Sequence, residues 1–406
     1  MSDTTLTERA ATLARKGQIW FYADDARVRP SRDEAAGLVR LRDPAGRDLG
    51  LALFSPRSKL TYRRCGPWPG DVVPEAAEFL RARLVAAIAQ RATAATPRAG
   101  VRLVHGEADD LPGLVVDRFA DCVVVQIGTA PLEAMRAELV DQIERLLAPR
   151  MILARNDIAV RKLEGLDDTV RLLSGHRIEE VEIEEDGLRH PVRPFDGHKT
   201  GFYLDQAPAR ALVRAHARGR SVLDTFAYQG GFSLAALAGG ARGALALDAS
   251  APALERAQRA AKVNDLHGLT TLAVDVFDHL RELRRQEQRF DLLIVDPPAF
   301  AKTRRELEGG LRGYRDLNRL ALRVLAPGGL LVTCTCSHHV SWPLFEDVLR
   351  QSAADLPFRV FLRHRLGAGP DHPVSLTAPE SEYLKVVVLE RAGEDARDGV
   401  VSSADP

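Results

Sequence analysis

From Asp205 onward the chain alternates short apolar runs with amphipathic stretches, and this rhythm leaves few folds open to it. Helical periodicity spans about 206–217, strand character 221–226, and a second helix starts near Gly231. Strand 243–248, helix 251–264, strand 271–274, helix 277–286, strand 291–295, helix 314–325 and strand 330–336 follow. Repeats of this kind predict a doubly wound α/β fold with a parallel sheet covered on both faces. Ligands bind such sheets at the carboxyl ends of the strands, so the residues that end each apolar run are where chemistry is expected.

Those residues are acids, glycines and a thiol. The first strand runs into Asp224-Thr-Phe-Ala-Tyr-Gln-Gly-Gly-Phe232, the second ends on Asp248-Ala249, and Asp275-Val276 follows the third. Glycines such as Gly230 let a ligand approach the backbone, and an acid at the tip of the second strand can hold ribose hydroxyls. A pyrophosphate-binding turn would need Gly-x-Gly-x-x-Gly; here Asp224 precedes paired glycines, and a carboxylate repels phosphate. The pattern favours a cationic, phosphate-free ligand carrying a ribose and an amine, which describes S-adenosylmethionine. Asp275 is placed to accept from an adenine amino group. Each acid alone also reads as a helix cap.

The fourth strand ends in Asp296-Pro-Pro-Ala-Phe300 and the fifth in Thr333-Cys-Thr-Cys-Ser337. Two prolines cannot continue a central strand, so the chain must turn and leave Asp296 facing the crevice, able to accept from the exocyclic amine of a base. Phe300 reads equally as a stacking partner for that base and as core. Alternation puts Cys334 and Cys336 on one face, with Cys336 at the tip. A thiolate that adds to C6 of cytosine makes C5 nucleophilic enough to take a methyl group, and Cys336 is the expected nucleophile. His338, His339 and arginines between 302 and 319 are all open as the source of the thiolate. Residues 299–323 carry Lys302, Arg304, Arg305, Arg312, Arg315, Arg319 and Arg323 against three acids, and a loop with Gly309, Gly310 and Gly313 that could close over a polynucleotide backbone.

Composition bounds the rest. The 406 residues hold 56 basic and 56 acidic side chains, so net charge gives no ground for bulk attraction to nucleic acid, but the distribution is uneven. Residues 1–100 contain 17 Lys and Arg against 11 Asp and Glu, and residues 101–200 contain 13 against 20. A basic first segment suits a phosphate-contacting module. Four cysteines at spacings unlike a zinc or disulfide framework, no apolar run long enough for a membrane span and no signal core predict a cytoplasmic protein with no metal. Strand-like pieces at 37–42 and 48–54 predict a small β-rich domain, and helical periodicity at 75–92 and mixed patterning from 101 to about 185 a central α+β module. Alternation at 177–184 predicts a half-exposed edge strand.

These segments resemble bacterial class I, S-adenosylmethionine-dependent ribosomal RNA methyltransferases that modify C5 of a large-subunit cytosine and carry an N-terminal PUA domain. The resemblance rests on Arg102-Leu-Val-His-Gly-Glu-Ala-Asp-Asp-Leu-Pro-Gly-Leu-Val-Val-Asp-Arg118, on Gly197-His-Lys-Thr-Gly-Phe-Tyr-Leu-Asp-Gln206 with His198 where glutamine is usual, and on the three sheet-end motifs above. Asp371-His-Pro and Glu382-Tyr-Leu-Lys385 extend it. It implies a PUA domain over 1–72, a central α+β domain over 73–190, a Rossmann-like domain with a parallel-dominated seven-stranded sheet over 191–393, and a disordered tail from 394. It implies S-adenosyl-L-methionine held by Tyr203, Asp205, Asp224, Phe226, Tyr228, Gly230, Asp248, Ala249, Asp275, Val276 and Asp296, with Cys336 and Asp296 catalytic. It further implies 23S ribosomal RNA as partner, no DNA, no membrane, and a possible homodimer. A related group that methylates guanine has Ser-Asn-Asn in place of Thr-Cys-Ser; that activity, and a non-catalytic RNA-binding assembly factor, are the rival readings.

Overall fold

The computed structural model describes residues 3–92 and 100–393, so the tail expected to be disordered lies outside the described residues. Two compact units emerge: one of Met1–Asp186, His190–Leu204 and Gly369–Ser381, the other of Gly187–Arg189, Asp205–Ala368 and Glu382–Pro406.

The first unit contains two five-stranded sheets. Asp3–Thr5, Trp20–Phe21, Gly37–Arg42, Asp48–Phe54 and Tyr62–Arg64 form one, with helix Glu8–Arg15 packing Ala10, Ala11 and Ala14 against Phe21, Leu41 and Phe54. Gly100–His105, Leu114–Phe119, Cys122–Ile127, Met151–Arg155 and Val170–Gly175 form the second. The two are not separate cores. Leu51, Leu53 and Cys65 pack in one cluster with Phe79, Leu103 and Leu114. The expected edge strand is Val181–Glu185, with Ile183 and Glu185 buried and Glu182 and Glu184 exposed.

The long motif 102–118 is a buried charge lattice. Arg102 makes a two-pronged contact with Asp117 at 2.8 and 2.9 Å, and Arg91 does the same with Asp109 at 2.6 and 2.7 Å. Thr200 donates to Asp117 at 2.5 Å, and the Arg102 amide donates to Asp371 at 3.0 Å. His105 and His372 lie ring to ring at 5.2 Å, and burial lowers the His105 pKa to about 3, so this imidazole stays neutral. Buried charges persist only when paired and hydrogen-bonded, which is why the motif supplies both signs at fixed intervals.

The second unit is the expected α/β sheet. Its strands are β1 (Ser221–Thr225), β2 (Gly243–Asp248), β3 (Leu269–Ala273), β4 (Phe290–Val295), β5 (Leu325–Thr335), β6 (Val360–Leu366) and β7 (Lys385–Arg391). Helices α1 (Ala207–His216), α2 (Gly231–Ala238), α3 (Ala251–Val263), α4 (Val276–Arg285), α5 (Leu307–Arg323) and α6 (Trp342–Ala353) cover it. The order is β3-β2-β1-β4-β5-β7-β6; β1 to β5 pair in parallel and β7 runs antiparallel to β5 and β6. Alternation along the central strands explains the two-sided cover. Leu223, Leu293, Val295 and Leu331 face the core of α4, α5 and α6, while Val222, Leu292, Ile294, Val332 and Cys334 face that of α1 and α2.

Two expectations at this level are corrected. The glycine loop is not a loop: Gly309, Gly310 and Gly313 lie within α5, which starts at Leu307 instead of 314. Three glycines suppressed the helical signal, yet tertiary packing overrides propensity here. Strand β5 begins at Leu325 and ends at Thr335, so Cys336 is the first residue beyond it.

Candidate active site

The carboxyl ends of β1, β4 and β5 lie side by side, because Thr225 pairs with Val295 and Val295 with Thr333. Asp224, Asp296 and the Thr-Cys-Ser turn therefore share one rim.

Asp224 is wholly buried on β1. Its Oδ2 accepts from the Ser233 amide at 3.0 Å and the Ser233 hydroxyl at 2.7 Å, whereas Oδ1 has no partner. Burial pushes its pKa up to about 7, the Ser233 bonds oppose this, and the charges of Asp296 and Asp248 add to it. Gln206 Oε1 and Gln229 Nε2 are likewise buried without partners. An unsatisfied buried polar atom costs about 1–3 kcal/mol, so such a group marks a place where a ligand is expected. A carboxylate and an amide oxygen that accept, with an amide that donates, match the ammonium and carboxylate of an amino acid; the residues present fit S-adenosylmethionine.

The turn after β1 is held in an uncommon shape. Phe226, Tyr228 and Gly230 have φ of 58°, 50° and 71°. Three bonds enforce it: Ala227 N to Leu247 O at 2.9 Å, Tyr228 N to Asp248 Oδ2 at 2.8 Å and Gly230 N to Ala227 O at 2.7 Å. Glycine is required at 230, since a Cβ there would stand 2.8 Å from that of Ala257. Asp248 thus pins the turn to β2, and its other oxygen accepts from Ser250 N at 2.8 Å, leaving further lone pairs for a ligand.

The remaining predicted cofactor residues divide. Asp275 is exposed and caps α4 by accepting from Asp278 N at 3.0 Å. Ala249 is exposed beside it in the fold's β2 and β3 ends, as are Leu272 and Ala273, which offers an apolar surface. The Val276 side chain belongs to the core with Leu280 and Leu283, so only its backbone can face a ligand. Asp205 is buried and accepts from the Tyr383 hydroxyl at 2.5 Å. Tyr203 belongs to the first unit, where the His198 ring nitrogen sits 3.3 Å from its hydroxyl and the Lys199 ammonium lies 4.5 Å from its ring centre.

At the reaction end, Cys334 is buried against Asp296 and Gln206, and burial raises its pKa well above the ordinary thiol range. Burial also raises that of Cys65, and lifts that of Cys122 to about 11. Cys336 alone among the four is partly exposed. Ser337, just after it, joins the two motifs: its hydroxyl lies 2.9 Å from the Tyr314 hydroxyl and accepts from Ala301 N at 3.4 Å, while Phe300 N donates to Tyr314 at 3.3 Å. Phe300 packs at 4.7 Å from Tyr314 and 6.3 Å from Phe277, which places its ring in an aromatic cluster at the edge of the core.

A cation that the sequence did not single out interacts with the Cys336 thiol. Lys385 opens β7 opposite Thr335 and is buried, yet its ammonium meets only the carbonyls of Glu382 and Tyr383, at 3.4 and 3.2 Å. Burial lowers its pKa, and the charges of Glu382 and Cys336 counter this. Of the arginines considered from the sequence, Arg312 is taken by Glu308, Arg315 by Gln351 and Asp316, and Arg319 by Asp355. His338 stacks 5.5 Å from Tyr383, and His339 is exposed. Lys385 and Gln206 lie within the segments Glu382–Lys385 and Gly197–Gln206, but nothing local marks their roles. Tyr314 had no signal at all, since its partners lie 14 and 23 residues away.

Among the described residues no cluster suits a metal ion, and no helix is long and apolar enough to cross a membrane. A family model described as S-adenosylmethionine-dependent methyltransferase matches residues 102–385, and one described as a PUA-like domain matches residues 5–64. Ribosomal RNA large subunit methyltransferase I of Photobacterium profundum is 36% identical over 93% of this chain and 96% of its own length. The protein of that name from Vibrio cholerae is 38% identical over 84% of this chain and 87% of its own. A crystal structure of SMU.776, described as a methyltransferase complexed with SAH, superposes with a TM-score of 0.82 at 22% identity, covering 96% of this chain and 100% of that one; at this identity the likeness speaks for the fold alone. The turn that follows β1, the unpartnered polar atoms of Asp224, Gln206 and Gln229 and these matches agree, and the chain belongs to the S-adenosylmethionine-dependent methyltransferases, in the family of ribosomal RNA large subunit methyltransferase I.

Proposed function

We propose that this enzyme methylates C5 of a cytosine in 23S ribosomal RNA through a covalent adduct between Cys336 and C6. The observation that carries the reading is the placement of the one partly exposed thiol directly after β5, beside the Asp296-Pro-Pro turn. Its relatives are named for large-subunit ribosomal RNA, which supports RNA as the substrate.

When bound, S-adenosylmethionine supplies an electrophilic methyl group. Asp224, Gln206 and Gln229 would hold its amino acid end, Asp248 its ribose, and Asp275 with the exposed Ala249 its adenine. The shaped backbone of Phe226, Tyr228 and Gly230, the amide of Val276 and the carboxylates of Asp205 and Asp296 complete the cradle. Tyr203, on the other unit, is proposed from the sequence alone. The Cys336 thiolate forms a bond to C6, and the ring electrons gathered at C5 take up the methyl group as its bond to the donor sulfur breaks, the donor leaving as a neutral thioether. Loss of the C5 proton to a base then returns an electron pair that expels the thiolate. Asp296 accepts from the exocyclic amine and fixes the ring beside the thiol. Lys385, a buried ammonium that makes no ion pair among the described residues, stabilises the thiolate by its charge.

We also keep the division into residues 1–72, 73–190 and 191–393 and a homodimer as proposals; limited proteolysis and light scattering check them. The decisive test uses 23S RNA fragments containing 5-fluorocytosine, in which the C5 substituent cannot leave. Wild type should form an adduct that survives denaturing electrophoresis, and Cys336→Ala should form none and lose methylation. Full methylation by Cys336→Ala would refute the nucleophile and favour guanine as the target.

A further inference from the structure

We propose that Lys302, Arg304 and Arg305 form a fixed phosphate-gripping edge beside the reaction end, which holds the backbone of the single-stranded RNA flanking the target base. This rests on the reading of the substrate as RNA.

The residues 299–323 segment carries seven cations, and the structure separates them into two kinds. Arg312, Arg315, Arg319 and Arg323 each lie within 4 Å of a carboxylate from Glu308, Asp316 or Asp355. Lys302, Arg304 and Arg305 are fully on the surface and have no carboxylate partner among the described residues. The nearest acid in sequence, Glu306, turns its Oε2 to the chain instead, accepting from Lys302 N at 2.9 Å and Thr303 N at 3.1 Å. Three like charges in four residues repel one another and stabilise nothing in the free protein, so a polyanion is the partner that makes use of them.

The mounting of these side chains is rigid. Ala301, immediately before them, is tied to Ser337, and Phe300 to Tyr314. Beneath them α5 approaches so closely that a Cβ on Gly310 would stand 2.9 Å from that of Ala301 and 3.0 Å from the Phe300 carbonyl. Glu306 caps the turn that carries Arg304 and Arg305. The backbone that carries the cations is therefore held at a set position relative to the Tyr314 and Ser337 hydroxyls, beside the Cys336 turn, as a register-setting contact requires.

Replacing Lys302, Arg304 and Arg305 together with Ala tests this in the full chain. S-adenosylmethionine affinity by calorimetry should be unchanged, which confirms folding. With a naked 23S RNA fragment, KM should rise about tenfold near physiological salt, and the slope of log(kcat/KM) against log salt should flatten by about 2, at ~0.7 per phosphate contact to a single strand. The kcat at saturating RNA should stay within about threefold, and Arg312→Ala, whose charge is already balanced, should leave both slope and KM near wild type. Active wild type with an unchanged KM and slope in the triple variant would overturn the proposal, as would a defect seen only with ribosomal particles, which would make the partner a protein. Wild type that methylates no RNA would instead overturn the substrate reading itself.

Discussion

Replacing Asp224 with Asn should make the stability of the enzyme less dependent on pH. In the native state this carboxyl is wholly buried, two of its contacts come from Ser233, and Oδ1 has none, so its pKa stands at about 7 against an ordinary 3.8. The folded chain thus keeps a proton that the unfolded chain releases. Stability from this group is fully present below the unfolded pKa and is lost as pH rises toward and through 7. Between pH 5 and pH 8 the two titrations differ by about 2–3 kcal/mol of unfolding free energy. Asn keeps an acceptor for Ser233 and cannot ionise. Urea denaturation of both proteins at pH 5, 6.5 and 8 is the assay, and subtracting the curves cancels every other titrating group. Wild type should lose about 2–3 kcal/mol more than the variant over that range, while the variant binds S-adenosylmethionine more weakly. Parallel stability profiles would show that Asp224 ionises normally, and the account of a desolvated carboxylate awaiting a cationic ligand would fall.

Other perturbations probe the supports of the site. Gly310→Ala should cost about 1–3 kcal/mol in thermal or chemical unfolding and lower kcat, because the added methyl collides with Ala301 and the Phe300 backbone. Lys385→Met should move the acidic limb of the pH–rate profile up by roughly one unit, and Lys385→Arg should restore part of it; identical limbs in all three proteins would deny Lys385 its role. Arg102→Met leaves the fully buried Asp117 without its cation, with only the Thr200 hydroxyl still donating to it, and should destabilise the first unit by about 3–5 kcal/mol, measured by denaturation.

Much of the second unit was legible because its strands are apolar runs bounded by acids and glycines, a pattern that only a buried parallel sheet satisfies. The order of β7 and β6 was not legible, since antiparallel pairing with β5 leaves no mark in Lys385–Arg391 that a parallel strand would lack. Helix α5 was half hidden by Gly309, Gly310 and Gly313, whose local preference is against the helix they form. The acids at the strand ends were found as residues, but not their states: nothing in the letters around Asp224 says that one oxygen is satisfied by Ser233 and the other is bare. Cys336 stood out by position at a strand tip, whereas Tyr314 and Ser337 act by meeting across 23 residues, a distance local patterns do not encode.

The contact between α5 and the Asp296 turn sets a rule for how relatives of this enzyme can vary. With Gly310 and Ala301 so near each other, the two positions share room for a single methyl group. A lineage that acquires alanine at 310 is expected to have surrendered the one at 301 and also to have shifted the Phe300 carbonyl, which would stand 3.0 Å from the added carbon. Bulk at one site is thereby a heritable constraint on the other, imposed by the geometry that keeps the base-facing carboxylate and the thiol in step.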